Sequence, residues 1–230
     1  MKKIISILGI IACVTACFSM TASVDAKTDY SYVGIQDVLN LYQNDNNVNQ
    51  VLYVAPDDDT VTTAQYYVKK TNSVGYSSWV LDRECVCYTG KGGVDKVKEG
   101  DCKTPIGVFS VITAFGIKDD PGTSITYVKA TDDIYCCGCS KYYNQIISSK
   151  TTGHKCKKGE HLIDYNPDYD YGIFFNYNED GVVGKGSSLF IHCMGNKNWT
   201  HGCVALPEED MKYILQNADQ NMKICIWPAS

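Results

Sequence analysis

Very little in this sequence points to nucleic acid or to a bilayer. Its 21 Lys and Arg residues are scattered rather than gathered on a stripe, and 26 Asp and Glu outnumber them, for a formal charge of −5. That pattern lacks the basic footprint a phosphate backbone requires, so no nucleic-acid partner is expected. Past the first 26 residues no run stays apolar for the ~20 residues a membrane helix needs. Internal repeats and low-complexity linkers are also missing, which argues against solenoids and strings of small modules.

What is present begins with a leader. Lys2 and Lys3 precede an apolar run from Ile4 to about Phe18, followed by small residues ending at Val24-Asp25-Ala26. That is the layout of a secretory signal over residues 1–26, so a secreted, extracellular or wall-associated protein is expected. Val14-Thr15-Ala16-Cys17 also resembles a bacterial lipoprotein box, and processing there would instead place a lipid anchor on Cys17. Without Lys2, Lys3 and Asp25 the formal charge is −6, and 204 residues remain. That is enough for one medium domain, expected as a monomer. A polar, Asn-rich segment over 27–48 leads into a domain spanning 49–228.

The texture of that domain is mainly β, with a few short helices. Val51–Val54, Gln65–Lys69, Ser78–Tyr88, Gly107–Ala114, Tyr171–Tyr177, Ser188–His192 and Lys223–Trp227 are β-branched and aromatic runs bounded by Gly, Pro, Asn or Asp. One segment reads clearly as helix. Pro207 opens it, Glu208, Glu209 and Asp210 suit the positive end of its dipole, and Met211, Ile214, Leu215 and Ala218 form an apolar face. Ile35, Val38, Leu39 and Tyr42 suggest a weaker amphipathic helix upstream.

Of the twelve cysteines, ten follow the leader: 85, 87, 102, 136, 137, 139, 156, 193, 203 and 225. In an exported chain that density favours disulfides. Thr200-His201-Gly202-Cys203 suggests a different use. Cys203 falls between the Ser188–His192 strand and the helix at Pro207, with His192 eleven residues before it. A thiolate needs help, since an unperturbed thiol has a pKa near ~8.5. An imidazole can take its proton, and a helix start can stabilise the anion. Gly202 would let the backbone approach a substrate and leave N–H groups for an oxyanion. The plain alternative is that Cys203 is half of a disulfide and the histidines are ordinary polar residues.

The surrounding motifs favour chemistry. Ile191-His192 … Thr200-His201-Gly202-Cys203-Val204 resembles the signature of the L,D-transpeptidase (YkuD) catalytic domain. Gly100-Asp101-Cys102-Lys103-Thr104-Pro105-Ile106-Gly107-Val108-Phe109 is similar to that family's Gly-x-x-x-Thr-Pro-x-Gly-x-Phe segment. Tyr142-Tyr143-Asn144-Gln145, Glu160-His161-Leu162 and Gly184-Lys185-Gly186-Ser187 follow in the order of one secreted branch, as does Gly202-Cys203-Val204-Ala205. The resemblance implies a mainly β fold of β-sandwich-like mixed sheets and acyl transfer on peptidoglycan stem peptides. Cys203 would be the nucleophile and His192 the general base, while His201 and Gly202 shape the turn and the Gly202 and Cys203 amides receive the oxyanion. Thr200, His161, Tyr143 and Asn144 would line the substrate site, with no metal or organic cofactor required. Ala205 stands where many members carry Arg or Asn, and the His-to-Cys spacing is short; both are traits of the same branch. A non-catalytic, disulfide-stapled wall-binding module of the same fold is the alternative. A papain-like peptidase is disfavoured, because its cysteine precedes its histidine.

Three features fall outside that pattern. Cys136-Cys137-Gly138-Cys139, with His154 and Cys156, has the composition of a zinc knuckle, but disulfides are the expected account in an exported chain. Several of the 17 tyrosines (Tyr142, Tyr143, Tyr165, Tyr169 and Tyr171) are expected near the cleft, and Asn198-Trp199-Thr200 is a glycosylation sequon.

Overall fold

The computed structural model describes residues 34–56 and 59–228; the leader and Cys17 lie outside them. The elements are α1 (Ile35–Leu41), β1 (Gln50–Val54), β2 (Val61–Thr71), β3 (Ser77–Tyr88), β4 (Gly107–Gly116), β5 (Tyr127–Lys129), β6 (Ile134–Cys137), β7 (Gln145–Ser148), α2 (Ser149–Thr152), β8 (Gly159–His161), β9 (Gly172–Phe175), β10 (Phe190–Cys193), β11 (Val204–Leu206), α3 (Glu208–Asn217) and β12 (Lys223–Ile226). The architecture is mainly β, as the sequence leads one to expect.

The large sheet closes on itself. Its order runs β12-β1-β2-β3-β11-β10-β9-β4-β5, and β12 also pairs with β4. β12 lies parallel to β1 and antiparallel to β4, so the C-terminal strand zips the ring shut. Closure removes the unpaired edges that an open sheet would present. The long β2–β3 hairpin is set by its turn: Asn72 Oδ1 accepts from the N–H groups of Val74 and Tyr76, at 3.1 and 2.9 Å. Gly75 supplies the positive φ of 86° that the reversal needs.

Inside the ring, Leu52, Val54, Ile191, Val204, Leu206 and Ile224 pack against Met211, Ile214 and Leu215 of α3. Those three helix side chains are fully buried, each contributing ~2 kcal/mol relative to exposure. On the other side of β1, Val38 and Leu39 of α1 bury against Val51, Tyr53 and Cys225. Trp79 Nε1 donates to the Leu39 carbonyl at 2.9 Å, so α1 is docked onto the sheet.

A second, three-stranded sheet, β7-β6-β8, is too short in each strand to announce itself by pattern. Its register matters for the site. Antiparallel β6 and β8 pair Tyr135 with His161, Cys136 with Glu160 and Cys137 with Gly159. Because successive side chains alternate between faces, Cys136 and Glu160 share one face while Tyr135, Cys137 and His161 take the other. Cys136 is buried in the same apolar cluster as Cys203, Phe190 and Tyr169.

All ten cysteines of the described residues are unbridged. The expected disulfide framework is therefore not formed. Cys87, Cys193 and Cys225 are buried in apolar packing.

Candidate active site

The candidate site is built on a parallel strand pair. β10 and β11 align Ile191 with Val204, His192 with Ala205, and Cys193 with Leu206. Ile191, Cys193, Val204 and Leu206 enter the core beneath α3. The alternate set faces the opposite way, and Cys203, His192 and Ala205 line one cleft of about 230 Å³. A second cleft of about 350 Å³ reaches Cys203 from the side of Lys96, Glu99 and Ser188.

The turn before Cys203 is held from within. Thr200 Oγ1 donates to the Cys203 carbonyl at 2.7 Å and accepts from the Gly202 N–H at 3.0 Å. Gly202 has φ +131°, and a Cβ there would sit 2.6 Å from the Lys103 carbonyl oxygen. Glycine is thus required because the turn crosses the Lys103 segment, rather than to clear room for a substrate. Its amide is also taken by Thr200, which corrects its expected role as an oxyanion donor.

Beneath lies the Gly100–Thr104 loop, organised by one carboxylate. Asp101 accepts from the N–H groups of Val97, Lys98 and Lys103 at 2.9–3.1 Å and from Lys96 Nζ at 2.7 Å. The Lys96 and Asp101 side chains are only 2% and 7% exposed. Burial alone would raise the Asp101 pKa, but Lys96 and the three backbone N–H donors outweigh it and hold the carboxyl well below the usual range.

Cys203 donates its S–H to the Ser188 carbonyl at 3.3 Å and accepts from the Phe190 N–H at 3.4 Å. Burial, with the Glu160 carboxylate nearby, pushes its pKa up to about 12. His192 is buried as well, and burial lowers its pKa. The Cys193 carbonyl lies 2.8 Å from His192 Nδ1. A carbonyl only accepts, so Nδ1 carries the proton and Nε2 is the lone-pair nitrogen. At neutral pH the pair is therefore a thiol and a neutral imidazole. The expected help from a helix start is corrected: β11 and Pro207 stand between Cys203 and α3. At ~3.3 Å per strand residue that is about 13 Å, and a dipole acts mainly within its first turn.

The family model for the L,D-transpeptidase catalytic domain (YkuD) matches residues 36–226. The chain belongs to the L,D-transpeptidase (YkuD) family. A search of curated proteins finds no match.

In this L,D-transpeptidase domain the remaining expected residues separate. Thr200 and His201 line the main cleft, where the His201 ring lies 5.0 Å from that of Trp199, itself flanked by Lys91 and Lys197. Asn198 of the sequon is exposed beside them. Tyr143 lines an adjoining cleft and hydrogen-bonds Glu99. Asn144 does not line a cleft; it braces the backbone, donating to the Tyr177 and Asn178 carbonyls and accepting from the Ser188 N–H at 3.0 Å. Ser188 in turn receives the Cys203 thiol. His161 is placed elsewhere: it stacks on Tyr135 at 4.4 Å and bonds Asp164 Oδ2 and the Asp132 carbonyl.

Its neighbour Glu160 is the site residue that sequence reasoning misses. Glu160 lines both clefts that reach Cys203 and the adjoining one at Tyr143. Burial raises its carboxyl to about 7, partly offset by the Tyr169 hydroxyl, which donates to it at 2.5 Å. Tyr169 also meets His192 edge-on at 5.3 Å. Tyr165 and Asp168 complete that wall. Only the register of β8 against β6 could have singled out Glu160, and three residues are too few to reveal a register. Among the described residues, metal-ligand side chains converge away from Cys203, at Cys137, Cys139, His154 and Cys156.

Proposed function

We propose that this domain is a cysteine-dependent acyltransferase on peptidoglycan stem peptides, working through a thioester on Cys203 in an exported, wall-facing protein. The observation that carries the reading is that Cys203 and His192 share one face of β10–β11 and one cleft, with Nε2 of His192 as the proton acceptor.

The steps follow from those protonation states. A stem peptide occupies the cleft with the carbonyl of its penultimate residue at Cys203. As Sγ attacks, His192 Nε2 takes the thiol proton, so no thiolate has to persist in the apolar site. The Cys203 N–H, for which no acceptor is found among the described residues, is the oxyanion donor left once Gly202 is excluded. Collapse breaks the C–N bond. The terminal D-amino acid leaves with the proton returned by His192, and a thioester remains. An amine of a second stem, deprotonated by His192, then attacks the thioester, restores the thiol and forms the cross-link; water in its place gives a shortened stem.

Intact-protein mass spectrometry with a tetrapeptide stem tests this reading. The expected result is an acyl adduct on Cys203 lighter than the stem by its terminal residue and water, which is absent in Cys203→Ala. Chromatography of the products separates dimer from trimmed stem. A wild-type protein that forms neither adduct nor product would return the fold to a non-catalytic wall-binding role.

A further inference from the structure

The small sheet bears a second grouping of thiols that the acyl-transfer chemistry leaves unused. Sγ of Cys137, Cys139 and Cys156 and a ring nitrogen of His154 all lie within 4.8 Å of one another. Cys137 Sγ is 3.6 Å from His154 Nε2 and 2.8 Å from Cys156 Sγ. Tetrahedral zinc with Zn–S of ~2.3 Å and Zn–N of ~2.0 Å places its ligand atoms ~3.5 Å apart, so the four need only small shifts to surround one ion.

The backbone is arranged for such an ion. Gly138 separates Cys137, the last residue of β6, from Cys139, and a Cβ there would lie 3.0 Å from the Gly159 nitrogen. Gly159 has φ +108°, and a Cβ on it would meet the Cys136 carbonyl oxygen at 2.2 Å. Two facing glycines thus let the Cys-x-Cys and His-x-Cys segments close on each other. A backbone N–H points at one of the sulfurs: that of Cys139 at Cys137 Sγ, 3.4 Å. Such N–H···S contacts orient and stabilise ligating thiolates. Three thiolates and one imidazole on Zn²⁺ leave a net charge of −1, and Lys155, Lys157 and Lys158 are in the same loop.

We propose that Cys137, Cys139, His154 and Cys156 bind one structural zinc ion that pins β6 to the loop entering β8, the strand that carries Glu160 to the cleft. Binding releases the three thiol protons and forms three Zn–S bonds and one Zn–N bond, with no change of oxidation state. The ligand set is C-x-C with H-x-C; Cys136, the first member of the C-x-x-C visible in the sequence, faces the Cys203 cluster instead. Three thiols and an imidazole select zinc over a harder cation, and all four positions are protein-held, as in structural rather than catalytic zinc sites.

Elemental analysis of the full chain, purified under reducing conditions without chelator, is expected to find one zinc per chain. Exchange with Co²⁺ should give sulfur-to-cobalt charge-transfer bands and the intense visible bands of tetrahedral cobalt. Cys139→Ser and His154→Ala should lose the zinc, and Cys136→Ser should keep it. Chelation should speed amide exchange over 134–161 while β10 and β11 stay protected. The cobalt spectrum of the unaltered protein needs no variant to fold. The proposal is overturned by wild-type protein that retains no zinc after zinc loading and gel filtration. A Cys137–Cys156 disulfide in a non-reduced digest, or a stoichiometry unchanged in both ligand variants, overturns it equally. None of these readouts depends on transpeptidase activity.

Discussion

Two cysteine–histidine groups lie on opposite sides of one short strand pair, and β6 contributes a cysteine to each side. Cys136 turns inward to the cluster that holds Cys203, while Cys137 turns outward to Cys139, His154 and Cys156. On the inner side Cys203 lies in apolar packing, and burial keeps it a thiol with a pKa near 12. Its reactivity depends on a base that takes the proton during attack. On the outer side three sulfurs and an imidazole converge, with a backbone N–H aimed at one of the sulfurs, which suits permanent thiolates on a cation. The residue types are the same. Their number, exposure and hydrogen-bond donors set the chemistry, and none of these is a property of sequence spacing.

The comparison breaks most visibly at Cys203. Cys203→Ala is expected to lower stem-peptide turnover by ~10⁴-fold or more, the scale of losing a covalent nucleophile, while zinc content stays unchanged. A single variant that removed both would merge the two sites. His192→Gln comes next, with a loss of ~10³-fold in turnover, within the range of a general base. Because Nε2 is the working nitrogen, the variant should also slow alkylation of Cys203 by iodoacetamide at pH 7, with zinc content again constant.

The shared cleft of Cys203 and His192, the proposed nucleophile and base, was legible in the sequence because their positions are local: a strand-end histidine, a Gly-Cys turn and the strands around them. β10, β12 and the long hairpin follow from β-branched and aromatic runs bounded by turn residues, and α3 from its helical period, signals that act within a few positions. Other features were not legible. β5 to β8 and β11 have three or four residues each, too few for a period-two pattern to stand out. With β8 unread, Glu160 could not be separated from His161. With β11 unread, spacing alone sets Cys203 against the helix dipole. Nor does any spacing reveal that Cys137 rather than Cys136 joins Cys139, since that depends on which face of β6 is turned to the cleft.

The support under the nucleophile can be broken separately. Asp101→Ala leaves Lys96 buried and unpaired and frees three backbone N–H groups, so a loss of about 3–5 kcal/mol in urea unfolding is expected. Wild-type-like stability would mean that the pair is hydrated and does not organise the loop.

Glu160→Gln tests the element the two groups share. The folded pKa of Glu160, near 7, lies above the ~4.3 of an unfolded carboxyl. The folded state therefore holds this proton more tightly, and the stability it contributes is complete below about pH 4.3 and lost as the pH rises to 7. The amide that replaces the carboxyl does not ionise. The variant should match wild type near pH 4 and exceed it by ~4 kcal/mol above pH 7. Ionised Glu160 also raises the Cys203 pKa, so alkylation of Cys203 at pH 8 should be ~5-fold faster in the variant. Equal pH–stability slopes for the two proteins would show that Glu160 is already ionised well below pH 7.

The smallest effect is the most discriminating, because His161 is bonded to Glu160 in the chain and faces away from it in the fold. Its ring is occupied by Tyr135, the Asp164 carboxylate and the Asp132 carbonyl, all on the outer side of the small sheet. His161→Ala removes a stacked pair and partly exposed hydrogen bonds, for a loss of ~1 kcal/mol. Turnover should remain within ~2-fold, since nothing on the cleft face moves. Zinc content should also hold, since His161 is not one of the four converging residues. A large loss of turnover without loss of stability would place the His161 ring in the cleft. β8 would then be out of register with β6 by one residue, with His161 rather than Glu160 on the face of Cys136. The cleft wall would have to be reassigned, because one alternation of side chains separates the two residues.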